Sequence, residues 1–268
     1  MSDPSGIAEH YSGENDLLAR IEAALREHGA RVPFDLDTLG LFDEFHIGGR
    51  AATAKLVDGL ALSASSRVVD LGSGLGGPAR YIAKTTGAHV TGVDLTPDFV
   101  EAGQTLTGMA VMLDRVRLTQ GDICDLPFDN QSFDAGYMIH VGMNIADKAA
   151  LAREAARVLK PDSRFVIYDV MALSAKGVTY PVPWASGPDQ DALCMIQVYR
   201  RALIGAGFSI LSETNRSDLM RPPPASAQDA ALGLHLVMGP EAGRKIGNMV
   251  EALRDGRIAP IEIVARLR

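Results

Sequence analysis

The chain has 268 residues, 47% of them hydrophobic and 22% charged, which is typical of a folded protein with one large α/β domain or two small ones. Its formal net charge of −7 argues against a general nucleic-acid-binding protein, and no apolar run approaches the roughly 18 residues that a membrane span requires. Residues 1–15 lack a signal-peptide pattern, and Cys124 and Cys194 are the only cysteines, so we expect a cytoplasmic protein without a disulfide framework or a membrane partner.

The N-terminal part of the chain is predicted to be helical. Apolar residues recur at helical spacing over 14–27, and Gly29 follows as a stop signal. The turn-rich sequence 43–50 then leads into a second helix that runs through Leu60.

Strand and helix patterns alternate after this point. Strands are predicted over 68–71, 90–95, 116–119, 133–139, 165–170, 208–212 and 260–265. Helices are predicted over 78–84, 97–113, 148–159 and 191–204. Such alternation indicates an α/β fold with a doubly wound, mostly parallel sheet.

Two segments do not belong to the alternation, namely 172–190 and 216–258. We expect residues 1–50 to form a helical cap on a main domain of residues 51–268, with these two insertions completing a cap and lid over the sheet. Plain surface loops are the alternative, although long loops in compact domains are usually functional or disordered.

Polar side chains follow four of the predicted strands: Asp70, Asp94, Asp122 and His140. Ligands of doubly wound sheets lie beyond the carboxyl ends of the strands, where the strand order reverses. The four side chains are therefore expected on one rim, around a ligand.

The glycine loop after the first strand is compatible with two ligands. Gly72, Gly74 and Gly77 match the G-x-G-x-x-G pattern of a dinucleotide site, and Asp94 lies where an acid would accept the ribose hydroxyls. Asp70, however, stands just before the loop, where its carboxylate would repel a pyrophosphate.

A ligand with both an ammonium and a carboxylate would use these features better. Gly76 permits positive φ, and the helix that follows offers free amides to a carboxylate. Asp70 could then face the ammonium. S-adenosylmethionine carries these charges, whereas NAD has no ammonium.

Four segments together resemble the S-adenosylmethionine-dependent methyltransferases of Rossmann-like fold: VVDLGSGLGG, VTGVDLT, GDICDLPFDNQSFD and ARVLKPDSRFVIYDV, within residues 67–170. The resemblance implies a seven-stranded sheet whose last strand is antiparallel. The segments FHIGGRAATAKL, IHVGMNIADK and YPVPWA are similar to the branch that methylates glycine, sarcosine or dimethylglycine.

The resemblance and the residue chemistry together assign a site. The cofactor-binding residues are Asp70, Gly72, Gly74, Gly76, Asp94, Leu95, Asp122, Ile123, Met138, Tyr11 and His46. The candidate substrate-binding residues are Asn144, Tyr180 and Trp184. The six histidines are scattered, without a His-x-x-x-His or Cys-x-x-Cys pair, so no metal is expected.

The expected reaction transfers the methyl of S-adenosylmethionine to a small molecule and releases S-adenosylhomocysteine, with an amine nitrogen as the preferred acceptor. His140 could accept the proton that the acceptor loses, or it could only shape the pocket. The alternatives are an O- or C-methyltransferase of a natural product, an NAD-dependent oxidoreductase, and a cofactor-binding protein without transfer activity.

Overall fold

The structure is a computed structural model that describes residues 17–220 and 232–268. Its strands are β1 Arg67–Leu71, β2 His89–Asp94, β3 Val116–Gln120, β4 Phe133–Ile139, β5 Leu159–Ala172, β6 Phe208–Asn215 and β7 Ile258–Leu267. Its helices are α1 Leu17–His28, α2 Leu36–Asp43, α3 Gly49–Leu60, α4 Gly77–Thr86, α5 Pro97–Met109, α6 Lys148–Val158, α7 Ile196–Gly205, α8 His235–Met238 and α9 Ala242–Arg254.

The seven strands form one sheet in the order β3-β2-β1-β4-β5-β7-β6. Only β7 runs antiparallel to its neighbours, β5 and β6, so the predicted mostly parallel sheet with an antiparallel last strand is confirmed. The strand order reverses between β1 and β4, and this switch point opens a crevice at the carboxyl ends of the strands.

Helices cover both faces of the sheet. Helices α6 and α7 bury their apolar residues against one face, and α3 and α4 pack on the other. A third apolar cluster joins α1 and α2 to α5 and to Leu75 of the glycine loop. The N-terminal helices are thereby packed beside the crevice.

Two element boundaries differ from the sequence prediction for identifiable reasons. Helix α7 begins at Ile196 rather than at residue 191, because the Asp191 side chain accepts hydrogen bonds from the Trp184 indole and the Leu193 amide. Strand β5 begins at Leu159 rather than at residue 165, since Leu159 already pairs with Phe133 through an irregular register.

A buried arginine links several elements around the glycine loop. The Arg80 side chain of α4 is only 1% exposed, and its guanidinium donates to the Asp43 carboxylate at 2.6 Å. The same group donates to the Leu75 carbonyl, to the Gly103 carbonyl and to the Thr107 hydroxyl. One side chain therefore fixes α2, the loop, α4 and α5 together.

We predict that Arg80→Met lowers the free energy of unfolding by about 3–5 kcal/mol, because it leaves the Asp43 carboxyl buried without its partner. Chemical denaturation measures the loss. Arg266→Gln is the matched control, since it breaks an exposed ion pair with Asp162 and should cost no more than about 1 kcal/mol. Equal losses in the two variants would contradict the role assigned to Arg80.

Candidate active site

The carboxyl end of β1 presents an acid that is oriented by a tyrosine. Asp70 is 2% exposed, and its Oδ2 accepts a hydrogen bond from the Tyr137 hydroxyl at 2.8 Å. Burial raises the pKa of Asp70 to about 7; the Tyr137 hydrogen bond opposes this rise and the Asp94 carboxylate adds to it. The protonation of Asp70 is therefore sensitive to a cation placed beside it.

The glycine loop is held against β2. The amides of Gly72 and Ser73 both donate to the Val93 carbonyl, at 2.8 and 3.0 Å. Gly72 has a φ of 83°, and a Cβ there would overlap with the Val141 side chain. Gly74 has a φ of 52°, and a Cβ there would lie 2.7 Å from the Phe45 ring. Both glycines are required by conformation and by space.

Two further acids lie at the ends of β2 and β3. The Asp94 carboxylate accepts from the Gly74 amide at 2.7 Å and from the Thr96 amide at 3.0 Å. Burial raises the pKa of Asp94, and these hydrogen bonds oppose the rise. Asp122 accepts from the Cys124 amide at 2.8 Å. The backbone bonds fix the orientation of both carboxylates toward the crevice.

The crevice contains a first cavity, which we call the acidic cavity. Its lining comprises Asp43, Phe45, His46, Asp70, Gly72, Ser73, Gly74, Pro78, Asp94, Leu95, Thr96, Phe99, Asp122, Ile123, Ile139, His140, Val141, Asn144 and Ile145. Four carboxylates and no lysine or arginine are found among these described lining residues. Such a cavity favours a cationic, hydroxyl-rich ligand and disfavours a pyrophosphate.

A second cavity of about 600 Å³, the apolar cavity, adjoins the first. Its lining comprises Phe45, His46, Ile47, Gly48, His140, Met143, Pro183, Trp184, Met220, Leu234, Val237, Met238, Ile246, Met249, Val250, Leu253 and Arg254. Within the part of the lining that the structure describes, Arg254 is the only lysine, arginine or carboxylate side chain. The cavity is therefore suited to a largely apolar molecule.

Phe45, His46 and His140 line both cavities and form their junction. The His140 and His46 rings are 5.9 Å apart, and the His46 Nε2 is 3.0 Å from the Gly49 carbonyl oxygen. The His140 amide donates to the Tyr168 carbonyl at 2.8 Å, which holds the residue at a left-handed φ of 52°. The His140 Nε2 is buried and has no hydrogen-bond partner among the described residues.

Both imidazoles are held in the neutral form. Burial lowers the pKa of His46 to about 4, and the hydrogen bond with Gly49 opposes this shift. Burial also lowers the pKa of His140 well below its ordinary value, and the neighbouring His46 lowers it further. His140 thus presents an unpaired nitrogen to the junction without a positive charge.

The predicted site residues divide between the two cavities. Leu95, Ile123 and Asn144 line the acidic cavity, although Asn144 was expected at the substrate. Trp184 lines the apolar cavity.

Three of the predicted residues that the structure describes lie outside both linings. Met138 is fully buried in the core, and Gly76 occupies the N-cap of α4 outside both linings. The Tyr180 hydroxyl donates to Asp191 at 2.6 Å and supports the loop instead of lining a cavity. Tyr11 lies outside the described residues.

Asp43, Phe45 and Tyr137 were missed by the sequence reasoning. Asp43 and Phe45 belong to the turn-rich bridge 43–50 and line the acidic cavity. The carboxylate of Asp43 within this bridge was the one feature of the sequence that could have indicated a binding role. No feature of the sequence indicates a binding role for Tyr137, because its position is that of an ordinary residue in a buried strand.

Across the ranges 17–220 and 232–268, no three His, Cys, Asp or Glu side chains are grouped so that they could hold a metal ion. Within these same ranges, no helix combines the length and apolar character needed to cross a membrane.

Residues 69–167 match the family described as a methyltransferase domain. The O-methyltransferase resE of Aspergillus sclerotiorum is 31% identical over 190 residues, which cover 67% of this chain and 69% of that protein. The glycine/sarcosine/dimethylglycine N-methyltransferase of Actinopolyspora halophila is 28% identical over 159 residues, which cover 59% of this chain but only 28% of that protein.

A solved structure shares the fold. The geranyl diphosphate C-methyltransferase from Streptomyces coelicolor A3(2), in complex with Mg²⁺, geranyl-S-thiolodiphosphate and S-adenosyl-L-homocysteine, matches with a TM-score of 0.72 at 21% identity. The match covers 99% of this chain and 98% of that one. Since the three named relatives act on oxygen, nitrogen and carbon, the acceptor atom is not fixed by these similarities.

We predict that neither His46 nor His140 becomes protonated near neutral pH, because both rings are desolvated at the junction. Nitrogen-15 NMR of the imidazoles, titrated from pH 8 down to about 5, should show both rings neutral throughout. A histidine in a model peptide, with a pKa near 6.5, is the reference. A His140 titration midpoint at or above that of the reference would contradict the prediction.

Proposed function

The chain belongs to the S-adenosylmethionine-dependent methyltransferases of Rossmann-like fold, and we propose that it methylates a largely apolar small molecule at oxygen or carbon. One observation carries the proposal: an apolar cavity of about 600 Å³ adjoins the acidic cavity and shares Phe45, His46 and His140 with its lining. A cofactor in one cavity and an acceptor in the other would meet at this junction.

The acidic cavity suits the cofactor. When bound, S-adenosylmethionine supplies an electrophilic methyl group on a sulfonium and leaves as S-adenosylhomocysteine. We assign its ammonium to Asp70 and to the buried, unpaired Oδ1 of Asp43. Asp94 would accept from the ribose hydroxyls, and Asp122 with Ile123 would border the adenine.

The walls of the apolar cavity favour an acceptor other than a glycine-like amine. An amino acid brings an ammonium and a carboxylate, and burying either without a partner is costly. The described lining offers no carboxylate to an ammonium. A pocket of this size also matches ligands much larger than glycine or sarcosine. We therefore propose oxygen or carbon as the methylated atom, which was the alternative in the sequence analysis, in place of the amine nitrogen preferred there.

His140 is proposed to orient the acceptor. Its unpaired Nε2 can accept a hydrogen bond from an acceptor hydroxyl and so aim the oxygen lone pair at the methyl group. Burial opposes a stable imidazolium at this position, which argues against a long-lived protonated base. The proton would pass from the acceptor to solvent as the new bond to the methyl carbon forms.

We predict that the affinity for S-adenosylhomocysteine rises with pH between 6 and 8, because the ligand ammonium prefers ionised Asp70. The pKa of Asp70 is raised to about 7, so the carboxylate form is lost as the pH falls through this value. One linked proton permits at most about a tenfold change per pH unit. Titration calorimetry measures both the affinity and the proton release.

Asp70→Asn should weaken binding and abolish the proton release, since an amide cannot ionise. Asp58→Asn, at an exposed position of α3 outside the lining of the acidic cavity, is the control and should behave like the wild type. An unchanged proton release in Asp70→Asn would show that another group is responsible.

We predict that Arg254, the only cationic side chain of the described lining, gives a preference for acceptors that carry an acid group. We expect Arg254→Gln to raise the KM of an aromatic hydroxy acid about tenfold, the effect of losing roughly 1.4 kcal/mol, and to leave that of its methyl ester unchanged. Arg244→Gln removes an exposed arginine outside the cavity and is the control.

A mass-spectrometric acceptor panel tests the acceptor class itself. It should contain apolar phenols, carbon acids, matched amines and sarcosine. Methylation of sarcosine alone would overturn the acceptor class but not the cofactor assignment.

A further inference from the structure

A buried polar cluster lies beneath the segment 140–145, which follows β4 and carries His140. We propose that Asp169, Tyr199 and Lys148 are positioning residues that hold this segment at the junction for methyl transfer. The inference rests on the proposed function, because it concerns the alignment of the acceptor.

Asp169 of β5 is the centre of the cluster. Its side chain is 0% exposed, and its Oδ2 accepts from the Tyr199 hydroxyl of α7 at 2.5 Å. The Lys148 ammonium at the start of α6 lies 5.3 Å from the centre of the Tyr199 ring. Strand β5 and two helices that pack on one face of the sheet thus meet at these three side chains.

The cluster contacts the segment at Gly142 and at Ile145. Lys148 Nζ donates to the Ile145 carbonyl at 2.5 Å and to the Ala192 carbonyl at 3.0 Å. Gly142 lies directly on the Asp169–Tyr199 pair, and a Cβ at this glycine would overlap with both side chains. The Ala192 amide also donates to the Met143 carbonyl at 2.8 Å. The segment has little freedom to shift.

The segment in turn forms part of both cavities. His140, Asn144 and Ile145 line the acidic cavity, and Met143 lines the apolar one. A displacement of about 1 Å in such a wall can cost roughly 10²-fold in rate. The cluster therefore lies where it can control the relative placement of the two ligands.

Stability alone does not account for the cluster. Burying an ammonium and a carboxylate costs several kcal/mol per ion, and apolar residues of similar volume are often as stable or more so. A charged, hydrogen-bonded cluster does, however, fix the orientation of the groups that it contacts, because hydrogen bonds are directional and apolar packing is not.

The test compares Tyr199→Phe, Gly142→Ala and the double variant. We expect Tyr199→Phe to lower kcat about 10- to 100-fold, with the Kd for S-adenosylhomocysteine within about twofold of the wild type. Gly142→Ala should lower kcat similarly, because its methyl group pushes against the Tyr199 hydroxyl. The fold-reduction of kcat in the double variant should be smaller than the product of the two single reductions. Removing the Tyr199 hydroxyl opens space for the methyl group of Ala at position 142.

Phe208→Leu is the stability control. Phe208 belongs to the same buried cluster as Tyr199 but is remote from both cavity linings. The kcat of Phe208→Leu should stay within about threefold of the wild type, although its loss of Tm should be comparable to that of Tyr199→Phe. The proposal is overturned if Phe208→Leu loses as much kcat as Tyr199→Phe, or if the two single losses simply multiply.

The His140 imidazole NMR signals give a readout that needs no acceptor. Tyr199→Phe and Gly142→Ala should shift these signals, and Phe208→Leu should not. If the wild type methylates no member of the panel but the shifts occur, the positioning inference stands and the acceptor class fails. If the signals of His140 do not move, the positioning inference fails whatever the acceptor is.

Discussion

The hydrogen-bonded pair of Arg80 and Asp43 is the interaction on which both cavities depend. A buried ion pair is favourable only when further hydrogen bonds satisfy the charges, and Arg80 obtains them from Leu75, Gly103 and Thr107. Those partners belong to the glycine loop and α5, so the pair cannot form unless the loop is in place. Phe45 and His46 lie two and three residues after Asp43, and the pair therefore also fixes the junction between the cavities.

The two cavities differ in charge, and the junction is neutral between them. Four carboxylates surround the acidic cavity, whereas the described lining of the apolar cavity carries none. A protonated imidazole at the junction would repel a sulfonium and raise the cost of placing an apolar acceptor beside it. The burial that lowers the pKa values of His46 and His140 removes this repulsion. The histidines therefore contribute hydrogen bonding there without charge.

The sheet and the acidic residues were predictable because they depend on local patterns. Apolar runs mark the strands, and the ends of parallel strands share one edge, so Asp70, Asp94 and Asp122 could be placed together. Tyr137 could not, because its bond to Asp70 depends on the register that makes the two residues neighbours on β4 and β1. Tyr180 lies outside both linings for a related reason: its hydroxyl donates to Asp191, eleven residues along the chain.

The division between sheet and insertion explains how one cofactor site can serve different acceptors. The acidic cavity is built largely from strand ends and the segments that follow them, whereas α9 of the insertion supplies much of the apolar cavity. Its residues Ile246, Met249, Val250 and Leu253 recur at the spacing of one helical face, and all four line the cavity. Substitutions on that face would reshape the acceptor wall without touching the carboxylates. Because a protein's function depends on the site that its fold carries, the residues that determine the acceptor are expected on α9.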